Sequence, residues 1–367
     1  MNRAALPSLV WFGQRTAQSL TGASAGWLLS GLSQAPLVNG LLPALSVSST
    51  LLPLRPRARF GLALQVLGVL LLLAVALKRL GPSPGWPLLA SGLVGVGRTA
   101  SVLPLQRWLL APRRLSLPWL QRLGDAGGLA GSLLTALLFP LLRSTAPQFA
   151  VAALLLVPVL LLVPVLLLVS SPRFQPEESP TPTTATAAAT ATATAPLATP
   201  LAAAGIDPRG GFQGLLFGGL FALLPLWVRA IGGGSCVDFG LVLAAYGLGR
   251  IVSLPLPLPG WGLYGGMAML LQATTWLPAW GATALFVPLG ALAAGTDIRL
   301  TGAHSEGGDT AGQLARNDRS LAIGSLVGSL AMGAGTQVLG LANARILIVT
   351  AFVLAALLLP RRLKAAA

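Results

Sequence analysis

"PEESPTPTTATAAATATATAPLATP" occupies Pro176–Pro200, almost at the midpoint of a 367-residue chain. Leu197 is its only large hydrophobe, and nothing in its pattern could bury a face. Such a mixture stays soluble without a packed core. The flanks are the opposite. Of the whole chain 54% is hydrophobic and only 9% is charged, against about 25% charged in a soluble domain. Apolar runs recur at 60–77, 149–169 and 346–359, and roughly 18 such residues can cross a bilayer as a helix. Only helices and closed barrels satisfy every backbone group in lipid, and leucine runs without alternation leave the helix. The expected fold class is an all-α polytopic membrane protein whose solvent is a lipid bilayer.

Twelve spans are expected, at about 9–29, 34–54, 60–77, 86–106, 121–141, 149–170, 210–231, 236–255, 259–277, 279–296, 320–340 and 343–360. With the N-terminus inside, the cytoplasmic ends collect Arg3, Arg57, Arg113, Arg122, Arg209, Arg319, Lys364 and their basic neighbours. The opposite ends hold Lys78, Arg79, Arg143, Arg229 and Arg345. The excess of basic residues selects this orientation, with both termini and the Thr/Ala stretch cytoplasmic. The expected location is the bacterial plasma (inner) membrane. Residues 1–170 then form one six-helix bundle and 210–367 another. The segment 171–209 is a disordered cytoplasmic linker of 39 residues, a coil reaching roughly 35 Å.

The halves carry traces of a repeat. "RLGDAGGLAGSLL" at Arg122–Leu134 and "RSLAIGSLVGSLA" at Arg319–Ala331 both read R-x4-G-x-L-x-G-S-L, and each opens the fifth span of its half. "FGL" at Phe60–Leu62 and "WGL" at Trp261–Leu263 open the third. An even number of spans per half makes the repeats parallel. The pairs Gly127–Gly131 and Gly324–Gly328 are spaced for close helix packing.

Six spans, a long linker and six more in parallel repeat resemble the major facilitator superfamily. The resemblance is one of architecture and covers nearly the whole chain. That family carries G-x-x-x-D-R-x-G-R-R between its second and third helices. Here "LPLRPRARF" keeps the basic character in Arg55 and Arg59, with Leu54 in place of the acid and Arg57 in place of the glycine. The resemblance implies a permease moving a small solute of unknown identity, working as a monomer, with export as one possible direction. A non-transporting relative acting in pigment or complex assembly is the alternative.

Charge inside a bilayer is costly and marks candidate function. Arg98 lies deepest, in the fourth span, and is expected to line a substrate cavity. Arg15, Gln14 and Gln18 of the first span join it as cavity candidates. Asp125 is read as the one carboxylate clearly inside a span, within about a turn of its cytoplasmic end, and as a gate that pairs with Arg55, Arg57 and Arg59. Arg250, near a span end, is expected to snorkel. The net charge of +15 brings no basic face interleaved with aromatics, so no nucleic-acid partner is expected. His304, Glu306 and Asp309 are too sparse for a metal site. "GASAG" at Gly22–Gly26 lacks the strand–turn–helix setting of a nucleophile elbow, and no P-loop lysine is present. Neither enzyme nor cofactor is expected.

Overall fold

The computed structural model describes residues 5–52, 54, 57–110, 117–145, 150–171, 207–230, 233–252, 258–302 and 310–358. The Thr/Ala linker, both termini, Arg55, His304, Glu306 and Asp309 lie outside the described residues. Among those described, every regular element is helical. The first half contains α1 (Ala5–Leu32), α2 (Pro36–Ser48), α3 (Ala58–Ala76), α4 (Gly85–Leu110), α5 (Leu117–Thr145) and α6 (Ala150–Ser170). The second contains α7 (Pro208–Ala230), α8 (Cys236–Val252), α9 (Gly260–Ala273), α10 (Ala279–Ala284), α11 (Phe286–Gly302), α12 (Thr310–Leu339) and α13 (Ala344–Leu358).

A helix thus stands over each expected span. The tenth is broken into α10 and α11 because Pro288 has no N–H to bond the carbonyl of Ala284 four residues back. It continues past the expected end at 296, and α12 begins well before the expected 320. Eight helical stretches are long and apolar enough to cross a membrane, and the chain is an integral membrane protein. The exceptions are α2, α8 and α9, with 13, 17 and 14 residues, and the polar α1.

The two halves repeat one packing scheme. In the first, α5 packs on α1, α6 on α3 and α1, and α4 on α2 and α3. In the second, α12 packs on α7, α13 on α9 and α7, and α11 on α8 and α9. Two seams join the halves, α2 on α12 and α5 on α8. Exchanging the halves exchanges these seams, as a two-fold axis along the membrane normal requires.

Glycines set the closest approaches. A methyl at Gly127 would stand 2.7 Å from the Phe12 carbonyl oxygen, and one at Gly131 2.6 Å from that of Thr16. In the second half, methyls at Gly324 and Gly328 would run into the carbonyl oxygens of Gly211 and Leu215. The repeated R-x4-G-x-L-x-G-S-L signature is therefore the fifth-on-first contact of each half. Without a hydrophobic force between helices in lipid, such backbone proximity supplies the packing energy.

Hydrogen bonds confirm the up-and-down order. Trp11 Nε1 donates to the Leu120 carbonyl at 2.9 Å, joining the starts of α1 and α5. The Ser320 hydroxyl accepts from the Asp207 N–H at 2.8 Å, joining α12, about a third of the way along, to the residue just before α7. All four lie at the arginine-rich end. Trp119 and Trp261 are exposed there, and Trp276 and Trp280 at the opposite end, as in the aromatic belts of membrane proteins. Leu160 and Leu167 of α6, the most apolar span, are also exposed.

Candidate functional site

The centre of the bundle is built on α1, because that helix is too polar for lipid. Gln14 is fully buried. Arg15 is half-buried, its guanidinium carbon 4.9 Å from the Trp11 ring centroid. Arg15 Nη1 donates to Gln18 Oε1 at 3.4 Å, Gln18 Nε2 to Gln65 Oε1 at 3.4 Å, and Gln65 Nε2 to Ser101 Oγ at 2.8 Å. This string ties α1 through α3 to α4, one turn from Arg98. Arg98 is exposed although it lies in the body of α4.

The second half presents a denser cluster. Gln213 of α7 donates to Thr296 Oγ1 at 3.1 Å and also to Asp297 of α11. Arg250 of α8 reaches Asp297 Oδ2 at 2.7 Å and, across the seam, Asp125 Oδ1 of α5 at 3.1 Å. One arginine thus fastens two carboxylates from opposite halves.

Repeat geometry relates the two clusters. Gly127 meets Phe12 O and Thr16 N, while Gly324 meets Gly211 O and Leu215 N. Phe12 therefore corresponds to Gly211, Thr16 to Leu215, and Gln14 to Gln213. The two glutamines differ in their partners. Gln213 has Thr296 and Asp297 for its amide nitrogen, whereas both amide atoms of Gln14 are buried without a hydrogen-bond partner. Ser101, on the matching face of α4, is taken by Gln65 instead.

Several expectations change. Asp125 pairs with Arg250, not with the loop between α2 and α3. Arg57 is exposed, Arg59 Nε donates to the Val169 carbonyl at 3.1 Å, and Arg55 lies outside the described residues. A loop arginine at a helix start finds the free carbonyls at the end of α6 closer than a carboxylate two turns inside α5. Arg250 does not snorkel, because Asp125 and Asp297 neutralise it in place. Nor is Asp125 the one carboxylate within a span: Asp297 and Asp318 lie on α11 and α12 inside stretches able to cross. Both were hidden because the apolar run stops short of the end of α11 and starts late in α12. The charges of Arg98, Asp318, Asp125 and Arg250 all act on Arg15. Among the described residues no cluster of three or more His, Cys, Asp or Glu could hold a metal ion.

The opposite end is closed by aromatic contact. Arg229 of α7 lies 3.9 Å over the Trp27 ring of α1 and donates from Nη2 to the Trp27 carbonyl at 3.0 Å. Trp27 stacks on Phe239 of α8 with ring centroids 6.1 Å apart. The two halves are thus linked by an ionic cluster toward the arginine-rich end and a cation–π contact at the other.

No protein-family model matches the chain, and no curated protein matches it. Solved structures do. The chain is similar to a variant of the nucleoside transporter NupG, with TM-score 0.57, 12% identity, and 97% of this chain and 98% of that one covered. It is similar to the human organic anion transporter MFSD10 (TETRAN), with TM-score 0.53, 17% identity and coverage of 98% and 99%. A variant of the E. coli fucose:proton symporter FucP gives TM-score 0.53, 15% identity and coverage of 96% on both sides. The chain shares its fold with these three transporters.

Proposed function

We propose that the chain is a permease that moves a small solute by alternating access of its two six-helix halves. The observation that carries this reading is the charged group on α1, α4, α5, α8, α11 and α12, drawn from both halves and partly exposed in an otherwise apolar protein. Membrane-embedded charge of this kind marks a solute pathway. In this proposal all twelve helical stretches span the bilayer, the protein works as a monomer, and the arginine-rich end is cytoplasmic. The Asp125–Arg250 bond closes the cytoplasmic side, and the Trp27–Arg229 contact closes the other. Both contacts are present in this structure; rocking about the α2–α12 and α5–α8 seams opens one while the other stays closed.

The test uses Gln18→Cys in a Cys236→Ser background, since Cys236 is a buried free thiol that would otherwise contribute. In proteoliposomes of known orientation, position 18 should react with impermeant reagents from either face. Adding Asp125→Asn should shift the ratio of labelling toward the arginine-rich face by roughly tenfold, because an ion pair worth one to two kcal/mol is lost from one state. Labelling confined to one face under all conditions would show that the halves do not alternate.

Topology is checked separately. Thr186→Cys in the same background should resist impermeant reagents in intact cells and react after lysis, because the positive-inside excess puts the linker in the cytoplasm. Ready reaction in intact cells reverses the orientation.

A further inference from the structure

Six charges meet at the centre, three arginines and three aspartates. They do not pair evenly. Arg250 contacts both Asp125 and Asp297, leaving Arg15 and Arg98 on the first half with Asp318 on the second. Asp318 forms no contact ion pair among the described residues, yet its main charged neighbours are Arg98 and then Arg15. Both Arg98 and Asp318 are exposed. Arg15 Nε is buried and unpartnered, as are both amide atoms of the adjoining Gln14. The site therefore offers two guanidiniums, an unpartnered Nε donor on one of them with the unpartnered Gln14 amide next to it in sequence, and a single carboxylate that makes no contact ion pair among the described residues.

We propose that this space binds an organic anion through its carboxylate, held by Arg15 and Arg98, and that Asp318 is a built-in competitor which holds the counter-charge until the solute displaces it. The proposal rests on the permease reading and adds the solute class. Guanidinium presents a planar fork that matches a carboxylate in bidentate geometry. Two guanidiniums repel each other in a medium of low dielectric, and an anion between them relieves that repulsion. Asp318 supplies partial relief without contact. A mobile carboxylate can approach closer and make the hydrogen bonds that Asp318 does not. Because Asp318 belongs to the second half and the arginines to the first, the exchange also removes an attraction across the halves. Binding then changes the balance between their two arrangements through a differential contact, as any ligand-driven shift must.

A different solute fits the same three charges with the opposite role for Asp318. A zwitterion would place its carboxylate on the arginines and its cation on Asp318. The two cases separate by the sign of one substitution. Full-length protein in detergent is assayed by thermal stabilisation with lactate, benzoate and nicotinate, with the zwitterion betaine and with neutral mannitol. At least one carboxylate should stabilise the protein, with betaine and mannitol inert. Asp318→Asn should tighten that carboxylate several-fold, since a competing charge is removed, while Arg98→Ala should weaken it at least about tenfold. Arg98→Lys, which keeps the charge and loses the fork, should fall between them and guards against a variant that merely misfolds. Stabilisation by betaine that Asp318→Asn abolishes overturns the proposal, as does a carboxylate weakened by Asp318→Asn or the absence of stabilisation by every carboxylate. Anion binding without alternating labelling at position 18 would sink the permease and leave this site standing. Alternating labelling without anion binding would do the reverse.

Discussion

Arg250→Leu should lower the thermal midpoint of the detergent-solubilised protein more than any other single truncation in the polar centre. The guanidinium is the counter-charge for Asp125 at 3.1 Å and for Asp297 at 2.7 Å. Removing it leaves two carboxylates from different halves facing one another, with Gln213 still donating to one of them. Breaking a buried pair costs about 3–5 kcal/mol, chiefly through the charge left behind. The three side chains are 25%, 31% and 34% exposed, so solvent screens part of this and roughly 2–3 kcal/mol is expected. The cause is tested by neutralising what was orphaned. Asp125→Asn combined with Asp297→Asn in the Arg250→Leu background should restore most of the loss, because no uncompensated charge remains. A triple variant as unstable as Arg250→Leu alone would show that packing, not charge, sets the cost.

Gly324→Ala and Gly328→Ala should each destabilise the protein by about 1–3 kcal/mol, the range for inserting a methyl into a closed contact. The added carbon would collide with the carbonyl oxygens of Gly211 and Leu215, which are backbone atoms of α7 and cannot turn aside. Gly22→Ala is the opposite case. Nothing lies within 4 Å of its new methyl, and alanine favours a helix over glycine by about 1 kcal/mol, so this change should stabilise. Destabilisation should therefore follow the packing seam and not glycine content. Equal effects at positions 22, 324 and 328 would mean that α12 and α7 can separate without loss, and the fifth-on-first contact would not hold the second half together.

Much of the fold was legible in the residues alone. Hydrophobic run length places a helix over every expected span because lipid offers the backbone no other partner. The matching glycine signatures of the fifth spans revealed the repeat, since close helix approach in lipid depends on small residues at fixed spacing. Arg98 and Arg15 could be singled out because charge within an apolar run is rare and expensive. What the sequence could not determine was the pairing of those charges. Asp125 lay near several arginines in the linear order, and only the α5–α8 seam decided that Arg250, 125 residues away, is its partner. Asp297 and Asp318 were overlooked because hydropathy falls before α11 ends and rises only well after α12 begins, whereas backbone hydrogen bonding carries both helices through the polar residues. Composition sets which segments must be helical. The charge at the centre depends on which helix faces are brought together, and that is a property of the packed halves.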